Sequence, residues 1–304
     1  MIVSLLSLSG CHVFEVVDIP CASDEKCAHI GGDTDTDTDA DTDIDTDVDT
    51  GPIVGPSLGW IVSGTAASGD RVVAYDAAGS TLAAWTDLDG AGPVAYDSAT
   101  GEAVLLTDTA TTRLLADGTA AASDQAFTDA RDVAFRDGTM LVTTSTNLYA
   151  YDGTTLETAF EEPLTSLRGM ALATDYAVAV DGDNETPDLY KWALGRDPIA
   201  LYSDFDATDA RVDTVFLGPD EEPYVCSSVG AIYKVSELDG GSDRPVAFYT
   251  GGATDISACA FDPGDDSWLL FSPALGVIRM DAQSRAEVVF EPPTAYTMVR
   301  AAFF

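Results

Sequence analysis

The tetrapeptide Thr-Asp-Ala-Arg occurs twice, at Thr128–Arg131 and Thr208–Arg211. Arg168 and Arg300 stand in the same setting, just ahead of short apolar runs. Guanidinium forks bind carboxylates and phosphates through paired hydrogen bonds. Arg131, Arg168, Arg211 and Arg300 are therefore candidate ligands for an anion. A structural role is the competing reading. Asp129 and Asp209 lie two positions before their arginines, and positions i and i+2 of an extended segment share a face. Such pairs would staple neighbouring elements together.

A second cluster is acidic: Asp181, Asp183, Glu185 and Asp188, with Gly182 among them. Oxygen ligands at this spacing suit calcium, the one cofactor the sequence suggests, but the spacing is not that of an EF-hand loop. A solvated acidic turn is the alternative. The only histidines are His12 and His29, so Gly51 to Phe304 contains none. This removes Ser–His–Asp, Cys–His and His-ligated zinc chemistry from that stretch. A carboxylate pair could still act as acid and base, but in so acidic a chain any such pairing is uninformative. Catalysis is the lesser expectation. Cys226 and Cys259 fall in apolar runs and read equally as a disulfide or as two buried thiols.

The elements that must position these residues are short. Of the 304 residues, 46% are hydrophobic, enough to build a core. The 14 Lys and Arg against 52 Asp and Glu give a net charge of −38. Nucleic acid is therefore a poor partner, because phosphate binding needs clustered cations. From Gly51 onward, runs rich in Val, Ala, Leu, Tyr and Phe alternate with Gly, Asp and Pro turns. This is the pattern of strands and hairpins.

The runs recur about every 40 residues. The clearest unit is Asp132–Phe135, Met140–Thr144, Leu148–Tyr151 and Leu156–Phe160. First strands of other units are expected at Val94–Tyr96, Met170–Leu172, Asp213–Phe216 and Cys259–Phe261. Gly59–Gly64 reads as a second strand with nothing suitable before it. Met298–Phe304 resembles a first strand with no partners of its own. The expectation is an all-β, six-bladed β-propeller of four-stranded antiparallel blades, spanning residues 56–304, with the C-terminal strand as the innermost strand of blade 1. Closing the ring this way avoids an unpaired edge. A seven-bladed ring is the runner-up and would need extra strands from 161–210.

The first 55 residues differ in kind. Asp occupies every odd position from 33 to 49, and Thr most of the even ones. Neither face of such a strand could form a core, and like charges extend the chain. Residues 12–55 are thus expected to be a disordered acidic tether. Leu8-Ser9-Gly10-Cys11 follows a short apolar run. It resembles the lipobox of bacterial lipoproteins, which implies a signal segment at 1–11 and lipid on Cys11. The segment is short, and no Lys or Arg precedes Lys26. Cys21 and Cys27 resemble the C-x-S-D-x-x-C loops of exported lipoproteins, and two such cysteines pair in an oxidising compartment.

The cadence of residues 55–304 resembles six-bladed propellers of the TolB-like, NHL-like and quinoprotein-like kind. Lactonases of similar fold use a Glu/Asn/Asp metal cluster in the channel. Here the only asparagines are Asn147 and Asn184, and neither is on an expected innermost strand. The expected function is that of a lipid-anchored bacterial envelope protein of the outer membrane or cell surface. It would be a monomer that binds a protein, peptide or glycan at an axial face, and would touch the membrane only through its anchor. A metal-dependent hydrolase or lactonase is the alternative.

Overall fold

Several runs bury consecutive residues, not alternate ones: Trp60, Ile61 and Val62, then Val72 to Tyr75, then Ser267 to Ser272. A strand of this kind needs both faces of its sheet covered. The computed structural model meets that need with a ring of sheets. It describes residues 57–304 apart from 108, 124, 183–186, 204–211, 242–243 and 253–254, and apart from the side chains of Ala122, Asp213 and Asp220. Cys11, Cys21, Cys27 and the Asp/Thr tract therefore lie outside the described residues.

Six sheets of four antiparallel strands form the ring. Written from the innermost strand outward, blade 1 is Thr297–Phe303, Trp60–Thr65, Asp70–Tyr75 and Thr81–Leu88. Blade 2 is Val94–Asp97, Glu102–Leu106, Thr111–Leu114 and Ala120–Ser123. Blade 3 is Ala130–Arg136, Thr139–Thr144, Leu148–Tyr151 and Leu156–Thr158. Blade 4 is Leu167–Leu172, Ala177–Asp181, Asp188–Trp192 and Ile199–Tyr202. Blade 5 is Val212–Leu217, Pro223–Ser227, Ala231–Lys234 and Ala247–Phe248. Blade 6 is Ala258–Asp262, Ser267–Ser272, Gly276–Met280 and Ala286–Phe290.

The expected six-bladed architecture is therefore present, and so is its closure. The last strand pairs antiparallel with Trp60–Thr65, in the register Trp60↔Phe303 and Ser63↔Arg300. Tyr75 and Tyr296 join their hydroxyls at 2.8 Å behind this seam, and the Arg71 guanidinium lies over the Tyr296 ring. Burial and the Tyr75 hydrogen bond push the Tyr296 phenol well above its ordinary pKa. Blade 5 departs from the expected pattern. Its third strand ends at Lys234 and gives way to a short helix, Val235–Asp239, before the two-residue outer strand.

The core is divided between the blades. One apolar cluster fills each of the six interfaces. Blade 1 shows how: Val62, Val73 and Tyr75 pack toward blade 6, while Ile61, Val72 and Ala74 pack toward blade 2. Strand alternation thus feeds two clusters from one sheet. A disulfide, Cys226–Cys259, crosses the blade 5–6 interface, with its Cα atoms 6.4 Å apart. A polar clasp crosses the 6–1 seam. Asp262 is fully buried and accepts N–H bonds from Ser57 at 2.5 Å, Leu58 at 3.3 Å and Gly264 at 2.8 Å. Asp262 thus holds the start of the ring.

Candidate functional site

All six innermost strands run in the same direction around the axis, so their first residues share one mouth and their last residues the other. Between the mouths lies a cavity of about 750 Å³. The lining at the first mouth includes Arg131, Arg168, Arg300, Asp132, Asp255 and Ser257. Small side chains follow, among them Ala95, Ala134, Ala171, Ala260 and Ala302. The far mouth carries Tyr96, Phe135, Phe216, Phe261, Phe303 and Phe304.

Three of the four candidate arginines thus line one cavity, from blades 1, 3 and 4. The fourth, Arg211, lies outside the described residues, immediately before the innermost strand of blade 5. A local feature accompanies them. The innermost strands of blades 1, 3, 4 and 5 each carry a register shift near the first mouth. Arg131 is itself the extra residue between Ala130 and Asp132. Arg168 falls in the shift between Leu167 and Met170, and Arg300 next to the one that spares Val299. The innermost strands of blades 2 and 6 pair without a shift and carry no arginine there. A β-bulge bends its strand and re-aims the side chains beside it.

Arg131 and Arg168 each have their own support. Arg131 pairs with Asp129 at 2.9 Å, and both side chains are more than two-fifths exposed. Asp129 adopts a left-handed φ of 59° at the turn into the strand. So exposed a pair is worth little, and it joins residues of one blade. The expected Asp–Arg staple between blades is not what this pair does. Asp132 does that work. It accepts the Met170 N–H of blade 4 at 2.9 Å and the Val133 N–H at 2.8 Å. Burial raises its pKa to about 6, against the pull of these two N–H groups and of the Arg300 charge.

The Arg168 stem runs over Gly182. A Cβ there would stand 2.6 Å from Arg168 Cδ and 2.6 Å from the Val212 carbonyl. Next to it, Gly169 lets the innermost strands of blades 4 and 5 approach, since a Cβ would lie 2.8 Å from Thr214 Cα. Asp255 accepts the Ser272 hydroxyl at 2.8 Å. Sequence reading missed Asp132, whose only local signal is its place directly after Arg131.

The acidic cluster is described only in part. Asp183 and Glu185 lie outside the described residues. Asp181 and Asp188 face one another as a cross-strand pair at the end of their hairpin. Asp188 accepts the Tyr190 hydroxyl at 3.1 Å. Burial first, then this bond, pushes the Tyr190 phenol up to about 12. Among the described residues no group of three or more His, Cys, Asp or Glu is placed to hold a metal. Asn147 is buried in a turn of blade 3, bonded to Leu148 and to Phe160, and is not among the cavity-lining residues. No helix among the described residues is long and apolar enough to cross a membrane.

No protein-family model matches the chain, and a search of curated proteins finds no match. Solved structures are similar in fold. A chain of a nidogen/laminin complex is 13% identical with a TM-score of 0.60, covering 81% of this chain and 98% of that one. The WD40 β-propeller domain of Doa1 is 14% identical with a TM-score of 0.53, covering 80% and 82%. Apo AztD from Citrobacter koseri is 11% identical with a TM-score of 0.50, covering 78% and 83%. At such identities the likeness establishes the fold, a β-propeller, and nothing narrower.

Proposed function

We propose that the chain is an exported, lipid-anchored binding propeller whose arginine mouth captures an anionic group of a protein, peptide or glycan. One observation carries this reading: three guanidiniums from three blades line a single open cavity in a chain of net charge −38. Evenly spread cations would serve solubility. Gathered cations create a local potential that draws anions against the repulsion of the whole molecule. The weak Arg131–Asp129 pair leaves Arg131 cheap to recruit.

Export is supported by the lipobox-like Leu8–Cys11 and by the Cys226–Cys259 disulfide, since such bonds persist in oxidising compartments. In this reading Cys11 carries the lipid, Cys21 and Cys27 pair, and the Asp/Thr tract is a spacer of at most ~60 Å. The envelope of a bacterium is the compartment that fits these features together. The similarity to a chain of a nidogen/laminin complex gives a protein partner precedent in this fold.

The test is thermal melting of the full chain with acetate, succinate, glucuronate and an acidic peptide at constant ionic strength. At least one anion is expected to raise the melting temperature above a chloride control. The Arg131→Gln, Arg168→Gln, Arg300→Gln triple variant should lose that rise. An equal rise in the variant would remove the arginine mouth as the site.

A further inference from the structure

The cavity is lined by unbroken runs of the innermost strands: Arg131 to Phe135, Arg168 to Leu172, Thr214 to Leu217, Ala258 to Phe261 and Arg300 to Phe304. A sheet face would present alternate residues. Consecutive residues mean that the strand edge faces the channel. Each innermost strand is paired along one edge only. Its other edge sets main-chain N–H and C=O groups along the wall, ready to pair with an extended chain. The side chains beside them are small, among them Ala95, Ala134, Ala171 and Ala260, so these edges stay open. The larger rings turn aside. Phe216 and Phe261 pack into the cluster between blades 5 and 6, and Phe135 into that between blades 2 and 3.

The wall is thus polar through its peptide groups. At one mouth Arg131, Arg168 and Arg300 are matched by Asp129, Asp132 and Asp255, all three already bonded to protein donors. A guanidinium carries five N–H donors, so the mouth keeps donors for one carboxylate while holding little excess charge for a polyanion. We infer that the channel takes the C-terminal end of an extended peptide, its α-carboxylate on Arg131, Arg168 and Arg300 and its backbone paired with an innermost strand edge. Strand addition and capture of a C-terminal carboxylate are both known modes of peptide recognition. This rests on the arginine mouth being the ligand site, and it adds the ligand's class and direction. The innermost strands of blades 1, 3 and 4 begin at that mouth, so the peptide runs antiparallel to them. Arg131 to Phe135 spans ~13 Å at about 3.3 Å per residue, room for about four or five peptide residues. A volume near 750 Å³ accommodates a ligand of that size. A polyuronate fits less well, because it repeats its carboxylates along a wall whose guanidiniums stand at one end.

The experiment is isothermal titration of the full chain with N-acetyl-pentaalanine, its C-terminal amide, an analogue N-methylated at alternate residues, N-acetylalanine, glucuronate and tetragalacturonate. The pentapeptide acid should bind about tenfold or more tighter than its amide, as expected for a charge-assisted contact. The N-methylated analogue and N-acetylalanine should be weakened to a similar degree. Arg168→Gln with Arg300→Gln should remove the difference between acid and amide while the protein melts as a folded ring. The same five residues at the C-terminus of a folded carrier protein should bind equally if the source is a protein tail, and only the free peptide should bind if it is an oligopeptide. N-acetylalanine or glucuronate binding as tightly as the pentapeptide, with loss in the arginine variant, would overturn the peptide and leave the arginine mouth standing. Tetragalacturonate binding more tightly than the pentapeptide would overturn it in favour of a glycan. Failure of every anion to bind would overturn both readings.

Discussion

Asp132 is the residue on which the site and the ring meet. Its carboxylate bonds the Met170 N–H of the next blade, and its pKa is raised to about 6. An unfolded aspartate titrates near 3.8. Between those values the folded chain holds a proton that the unfolded chain has lost, so stability falls as pH rises through this window. Asp132→Asn should therefore flatten the decline in stability between pH 4 and pH 7 relative to wild type, as followed by urea unfolding at several pH values. An unchanged slope would mean that channel water already solvates the carboxylate. The gathering of Arg131, Arg168 and Arg300 was legible in the sequence because a repeat aligns them. Asp132 was not, because its partner is contributed by another blade. Asp262 was hidden for the same reason, its partner Ser57 lying 205 residues away.

At the scale of the element, the innermost strands were legible and their bulges were not. The valine–alanine–aromatic cadence and the Gly/Asp turns are local signals, so strand positions followed from them. A bulge is a property of register between two strands, and neither strand announces it alone. The bulges make a checkable claim about Gly182. Gly182→Ala should force Arg168 or the Val212 carbonyl to move. It should weaken anion binding several-fold, in excess of any small fall in melting temperature. The disulfide makes another. Cys226–Cys259 closes a loop across a sequence separation of 33, worth about 3–4 kcal/mol by the chain-entropy argument. Cys226→Ser should lower the melting temperature by several degrees, and thiol titration of the denatured wild type should show both cysteines blocked until reductant is added.

At the scale of the whole molecule, six interfacial clusters hold the ring in place of one central core. A ring of this kind is only as stable as its seam. Thr297–Phe303 supplies the innermost strand of blade 1, and Met298 and Tyr296 are buried in the cluster between blades 6 and 1. Truncation after Thr294 should abolish cooperative melting and not merely shift it, as scanning calorimetry would show. The same closure sets Arg300 at the mouth beside Arg131 and Arg168, so fold and site depend on one strand. The charge of −38 becomes intelligible at this scale too. Acidity covers the ring and favours solubility, while Arg131, Arg168 and Arg300 meet at one mouth of the channel. The most direct test of that arrangement is a crystal structure of the protein soaked with glucuronate. The account predicts carboxylate density bonded to at least two of Arg131, Arg168 and Arg300. Glucuronate bound only on the outer surface, with none at the arginine mouth, would contradict it.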